Sequence, residues 1–310
     1  MGLCQPERTV SVDIERASVT TDLARQESFA DRPRDSASTN PPHEENRRGP
    51  LRFGVTEILA LVMSAFLILP ILGLLQRAMI NGGLLDAIRR PIVYEAVRLS
   101  MWTTLAVLVM TLVFGSPLAL VLARRRFRRI ILLDSVVDLP IVLPPAVAGL
   151  ALLLTFGRRG LFGPLLSAFG VELPFTTAAV VVASLFVAAP FYIRAARSGF
   201  LGVPREYEEA ARVEGANEWQ VFRFVTVPVA MPALFGGAVL CWARALGEFG
   251  ATIMFAGQFL GRTQTMPLAI YAALESDTDA ALGLSVILLV ISFVLLVLFR
   301  RWLRGASEGV

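Results

Sequence analysis

Arg244 and Glu248 stand four residues apart inside an otherwise apolar run, RALGEFGATIMF at 244–255. That spacing puts both side chains on one face of a helix. An ionised side chain at the middle of a bilayer costs about 3 kcal/mol on insertion scales, so each needs a partner or water. One chemistry for the two is an ion pair that ties a helical bundle together. Gly247 and Gly250 flank the glutamate and would let the helix open there. Little other chemistry can be assembled from the sequence. Cysteine occurs only as Cys4 and Cys241, and histidine only as His43, which removes disulfide frameworks and His/Cys metal sites. No histidine, cysteine or clustered carboxylates face one another within the apolar segments. No catalytic residue and no metal ligand is therefore assigned, and a membrane enzyme is disfavoured.

The elements that must position this pair are membrane helices. Of 310 residues, 55% are hydrophobic and only 17% charged, with several long apolar runs, which is the composition of an integral membrane protein. The net charge of +4 is carried by arginine, because no lysine occurs, and no basic run is interleaved with stacking aromatics. The excess reads as topology, not as nucleic-acid binding. Six spans are expected, near residues 57–75, 102–123, 130–156, 176–192, 229–255 and 282–299. Gly115-Ser116-Pro117 interrupts the second. Pro140, Pro144, Pro145 and Gly149 make the third kinked or partly unwound, and Pro144 with Pro145 reads as a kink that shapes a cavity or gate. Residues 77–98 alternate charge and apolarity and read as an interfacial segment.

Residues 1–50 are polar, lack apolar periodicity and read as a disordered cytosolic tail. The basic start and apolar core of a signal peptide are missing from them. Residues 51–94 then hold the first transmembrane helix and an outer connection, 95–302 the main transmembrane domain, and 303–310 a cytosolic C-terminus. With the tail inside, arginines gather on the cytosolic side: Arg47, Arg48 and Arg52, the five of RRRFRR at 124–129, those from Arg194 to Arg223, and Arg300, Arg301 and Arg304. Both termini are expected in the cytosol of a cell whose plasma (inner) membrane the chain crosses.

One cytosolic connection, 204–228, is polar yet patterned for structure. Pro204 suits a first helical position, Glu206, Glu208 and Glu209 favour a helix start, and Arg212 is spaced to pair with Glu208. Tyr207, Ala210 and Ala211 share one face. Gly215 is placed to end that helix in a left-handed conformation, and Asn217 with Gln220 has the spacing of a capping box for a second one. The segment Glu209-Ala210-Ala211, three residues, Gly215, nine residues, then Val225-x-Val227-Pro228 resembles the EAA signature of ABC importer permeases. Two valines stand where that pattern has Ile and Leu. The resemblance implies an all-α, six-span permease of the type I importer fold, whose loop, with Glu208, Glu209, Ala210, Ala211, Gly215 and Pro228, docks on a cytosolic ABC ATPase subunit. A GxxxxGK[ST] phosphate loop needs a lysine and none exists here, so no cofactor is expected on this chain, and ATP and Mg belong to the partner ATPase.

The resemblance narrows towards the end of the chain. RALGEFGATIMF, Gly257 and GRTQTMPLAIY at 261–271, together with LPIVLPPAVAG at 139–149, GRRGLFG at 157–163 and APFYIRAARSGF at 189–200, are similar to molybdate permeases within the sulfate/molybdate-type group. The similarity covers about residues 92–302; Gln258-Phe259-Leu260 departs from it. It implies a second reading of the ionised pair, in which Arg244, with Glu248 and Gly250 beside it, lies along the path of a tetrahedral dianion. Arg262, Thr263, Gln264 and Thr265 can bond oxyanions or a docking protein, or simply form a polar outer loop. It also implies a homodimer, paired ATPases, an extracytoplasmic oxyanion-binding protein and a lipid surround. Tungstate or sulfate are alternative cargoes. A proton-coupled secondary transporter using Glu248 and Arg244 is the alternative class, opposed by the loop and by the lack of a visible internal repeat.

Overall fold

A computed structural model of the chain describes residues 54–80, 89–125 and 130–308. The 1–50 tail, connecting residues 81–88 and residues 126–129 of the basic cluster, which carry part of the reading above, lie outside the described residues. The chain divides into two units, Met1–Ala60 and Leu61–Val310. In the first, the described residues open α1 (Val55–Ile80), where the Gly54 N–H donates to Glu57 Oε2 at 3.1 Å. The second holds the rest of α1 and the remaining elements.

Among the described residues every regular element is helical. Five stretches are long and apolar enough to cross a membrane: Val55–Ile80, Pro91–Arg124, Thr177–Leu201, Glu218–Leu246 and Thr278–Leu298. A pair of helices, α4 (Ile130–Val142) and α5 (Pro145–Phe156), is bent by 117° at its break and makes a sixth crossing when counted as one. The bend has a local cause. Pro144 and Pro145 supply no backbone N–H, so the helix that ends at Val142 cannot continue its ladder through them.

The second span starts earlier than its hydropathy indicates. α2 (Pro91–Met110) begins at Pro91, whose fixed φ suits a first helical position, so 91–98 belong to the span and not to an interfacial segment. Its charges do not interrupt it. Val93 and Ala96 are buried, while Glu95 and Arg98 line a cavity of about 470 Å³ with Leu99, Trp102, Thr177 and Gly261. α2 passes into α3 (Ser116–Arg124) through a π turn, Thr111–Gly115, just before Pro117. There Ser116 Oγ donates to the Leu112 carbonyl at 2.7 Å and shares a 2.6 Å hydrogen bond with the Tyr192 hydroxyl.

After the short α6 (Gly163–Ala168), α7 (Thr177–Leu201) forms the centre of the core. Its Ala188, Tyr192, Ala196 and Phe200 pack with Val107, Ala119, Cys241 and Ala245, and its Val180 and Val187 pack with Ala148, Leu152 and Phe255. Small residues on α7 allow this close helix approach. α7 runs to Leu201, past the expected end at 192, because its arginines find carboxylates. Arg197 Nη1 lies 2.8 Å from both Asp134 oxygens, and Arg194 bonds both oxygens of Asp138, all four residues lying on α7 and α4.

The chain then enters α8 (Arg205–Val213), α9 (Glu218–Val221), a second π turn at Phe222–Thr226 and α10 (Val227–Leu246). The fifth span does not run on to 255. It stops at Leu246 and resumes only as the short α11 (Gly250–Ala256), followed by α12 (Met266–Ser276) and α13 (Thr278–Glu308).

Candidate functional site

The 204–228 connection is ordered by its own backbone chemistry. Pro204 precedes α8 as its cap, one position before the first helical residue. α8 ends where Gly215 adopts φ +93°, with the Gly215 N–H donating to Arg212 O and the Ala216 N–H to Ala211 O, both at 3.0 Å. This is the paired bonding of a Schellman ending. A Cβ on Gly215 would meet nothing within 4 Å, so the turn demands glycine for its left-handed backbone and not for space. Asn217 then caps α9 with both bonds of a capping box, Gln220 N–H to Asn217 Oδ1 at 2.9 Å and Asn217 N–H to Gln220 Oε1 at 2.8 Å.

The acidic residues of this loop divide their work. Glu208 points inward and is buried, and its Oε1 accepts from Arg124 Nη2 at the end of α3 and from Thr226 Oγ1 at 2.7 Å. Arg212 therefore does not pair with Glu208; it turns to Glu218, with Nε 2.7 Å from Oε1. Glu209, Ala210 and Pro228 face outward with Gly215, and Ala211 is half-buried. Tyr207, Val213, Trp219 and Phe224 are exposed around them, an apolar surface on an otherwise polar loop.

The Arg244–Glu248 pair sits where the fifth span breaks. Arg244 Nη1 is 2.7 Å from Glu248 Oε2, an ion pair by distance whose alignment does not make it a hydrogen bond. Glu248 Oε1 accepts from the Ala251 N–H at 2.8 Å in the first turn of α11. The carboxylate is sealed, with 1% of its side chain exposed, whereas Arg244 keeps 27%. The break abuts the bend of the third span. A Cβ on Gly250 would lie 2.6 Å from Pro145 Cβ, and one on Gly149 would lie 2.7 Å from the Ala251 carbonyl oxygen. Pro144, Pro145, Gly250, Glu248 and Arg244 are thus brought into one neighbourhood.

The 262–265 segment is arranged differently from an open polar loop. Thr263, Gln264 and Thr265 are buried, and only Arg262 is exposed. Thr263 Oγ1 accepts from the Phe259 N–H at 2.8 Å and donates to Gly257 O at 3.2 Å, so its hydroxyl holds the turn together. Arg262 offers its carbonyl to Thr177 Oγ1 at 2.8 Å. Gln264 Oε1 and Thr265 Oγ1 are buried without a hydrogen-bond partner among the described residues. Arg262 is separated from Arg244–Glu248 by the whole of α11. The sequence reading passed over Asp134 and Asp138; four-residue spacing of two carboxylates in an apolar helix was the available signal.

A bundle of apolar helices with a broken third span and a capped polar loop is the architecture of a multi-pass membrane protein. Its fold is that of a type I ABC importer permease: it superimposes on a bacterial alginate ABC transporter, crystallised with an alginate pentasaccharide-bound periplasmic protein, with a TM-score of 0.64 at 17% identity, covering 82% of this chain and 94% of that one. Residues 113–308 match the family described as the binding-protein-dependent transport system inner membrane component, and the chain belongs to that family. Among its relatives is the molybdenum transport system permease protein ModB of Mycobacterium tuberculosis, 43% identical over 205 residues, 66% of this chain and 78% of that protein. Another is the protein of the same name from Escherichia coli K12, 38% identical over 218 residues, 69% and 95% of the two chains.

Proposed function

We propose that this chain is the membrane-spanning subunit of an ATP-driven molybdate importer. The observation that carries the reading is its likeness, at 38% and 43% identity, to two proteins named as molybdenum transport system permeases. Two copies form the pathway, each with both termini in the cytosol of a cell bounded by this membrane. A cytosolic ABC ATPase, holding ATP and Mg, docks on the outward face of Glu209, Ala210, Ala211 and Gly215. An extracytoplasmic oxyanion-binding protein delivers the cargo, consistent with the family description. Closure of the ATPases draws the two loops together and opens the cavity outward; hydrolysis and product release return it inward. The chain supplies a path and a lever and performs no covalent chemistry.

Arg244 is the residue we place on the path. Its guanidinium keeps part of its surface open while Glu248 is held inside, so positive charge is the side of the pair available to a passing dianion. Tungstate and sulfate share the tetrahedral dianionic form, and selection among the three is expected to rest largely on the binding protein.

The test is uptake of radiolabelled molybdate by cells expressing this chain together with an ABC ATPase and an oxyanion-binding protein. Uptake that fails on ATP depletion, survives a protonophore and resists excess sulfate is expected. Uptake abolished by the protonophore at normal ATP would refute the coupling. Uptake displaced by equimolar sulfate would move the cargo to sulfate.

A further inference from the structure

Four partly exposed charges meet between α4 and α7, with Arg194 the most open at 53% and Asp134, Asp138 and Arg197 at 25–30%. α4 reads IILLDSVVDLPIV, and its two acidic residues, Asp134 and Asp138, lie four apart on one face. α7 answers with Arg194 and Arg197, three apart. The pairs run in opposite order along the two helices, 134 with 197 and 138 with 194, as antiparallel neighbours must. Both Asp138 oxygens are engaged by Arg194 Nε and Nη2, and both Asp134 oxygens by Arg197 Nη1 at 2.8 Å. Arg194 grips Asp138 with a two-nitrogen fork that fixes direction as well as distance, which apolar packing does not do, while Arg197 spans Asp134 with Nη1 alone.

What this ladder connects gives it a role. On one side α7 ends at Leu201 and, after three linking residues, α8 opens the helical part of the 204–228 loop. On the other, α4 leads through Pro144 and Pro145 into α5. α5 touches α11 so closely that Gly149 has no room for a side chain against the Ala251 carbonyl. The N–H of that same Ala251 donates to Glu248 Oε1, and Glu248 is the partner of Arg244. An unbroken series of fixed contacts thus runs from the loop end of α7 to the break in the fifth span.

We infer that Asp134 and Asp138 are positioning residues, a strut that carries displacement of the 204–228 loop through α4 and the bent third span to Arg244. The inference rests on the proposed coupling of that loop to an ATPase. Without the ladder, α7 keeps only its apolar packing on the third span, and ATP is hydrolysed with less cargo delivered.

The experiment uses the full permease with its ATPase and binding protein in proteoliposomes, and reads molybdate delivered per ATP hydrolysed. The variants are paired truncations, Asp138→Ala with Arg194→Ala and Asp134→Ala with Arg197→Ala, which leave no orphaned charge behind. Each pair is expected to retain wild-type yield, ATPase copurification and ATP hydrolysis, while delivery per ATP falls about 2- to 30-fold, the range for residues that carry coupling between distant sites. Asp138→Glu, which keeps the charge but lengthens the strut, falls less than the truncated pair. An unchanged ratio in both truncated pairs overturns the inference. So does loss of either pair from the membrane, since the ladder would then hold the fold and transmit nothing. If the wild-type complex shows no ATP-dependent delivery, the proposed function fails instead, and that result is read before any variant.

Discussion

Replacing Glu208 by alanine removes the carboxylate on which Arg124 and Thr226 converge, and with it the tie between the loop and the ends of the second and fifth spans. An exposed ion pair contributes about 0–1 kcal/mol, and breaking a fully buried one costs about 3–5 kcal/mol. The Glu208 side chain is 10% exposed and that of Arg124 24%, so the pair lies towards the buried limit, with Arg124 able to recover some hydration after the truncation. A cost of about 2–3 kcal/mol follows. At 1.4 kcal/mol per tenfold, this raises the population of the detached loop about 30- to 150-fold. Amide hydrogen exchange of peptides spanning 205–226 reads that population directly, because opening governs exchange of the α8 and α9 amides. Thr226→Val, which removes only the hydroxyl, should raise exchange about fivefold, for a bond contributing about 1 kcal/mol. Glu209→Ala, on the outward face, should leave exchange unchanged while weakening ATPase copurification. If Glu208→Ala exchanges like the wild type, the Schellman turn and capping box hold the loop by themselves and the inward carboxylate is irrelevant to its position.

Other perturbations test the remaining geometry. Gly215→Val places a β-branched residue at φ +93°, where the left-handed backbone alone costs at least about 1–2 kcal/mol, and copurification of the ATPase should be lost. Gly215→Asn, which tolerates that conformation better, should retain it; wild-type yield with valine would show that the turn is not needed for docking. Gly250→Ala drives a methyl to 2.6 Å from Pro145 Cβ, so overpacking of about 1–3 kcal/mol should lower the thermal midpoint and reduce uptake. Gly73→Ala, with nothing within 4 Å of its new methyl, is the matched control and should change neither. Arg244→Ala should reduce molybdate uptake more than Glu248→Gln, because glutamine still accepts the Ala251 N–H; equal losses at unchanged stability would count against Arg244 on the path.

What could be read from the sequence was whatever is decided within a few residues. Gly215, Asn217 and Gln220 bond groups three positions away, so their spacing was sufficient to identify the turn and the cap. The partner of Arg212 was not recoverable in the same way. Glu208 lies four residues before it and Glu218 six after; the choice turned on Arg124, which is 84 residues from Glu208 in the chain. The same limit hid the ladder. Arg194 and Arg197 read as inner-side charge, yet their partners lie 56 and 63 residues away on a helix whose apolar average masks two carboxylates. Hydropathy also placed the start of α2 too late, because Glu95 and Arg98 lower it while facing a cavity on one side of the helix.

The pair at Arg244 and Glu248 shows why spacing alone left two readings open. Four-residue separation requires only that the side chains be able to meet, and it is satisfied equally by a bundle tie and by a path residue with a counter-ion. On the proposed role of Arg244, one geometry can serve both. Glu248 is held by a backbone N–H through Oε1 and meets Arg244 through Oε2, so the carboxylate has an anchor that does not depend on the guanidinium. Arg244 in turn contacts the carboxylate through Nη1 in an unaligned ion pair and keeps part of its side chain exposed. A guanidinium carries five N–H donors, so a dianion can be received by Arg244 without first expelling Glu248. The glutamate would then moderate the grip of the arginine, keeping the site weak enough to release what it attracts, which a lone buried cation would not do.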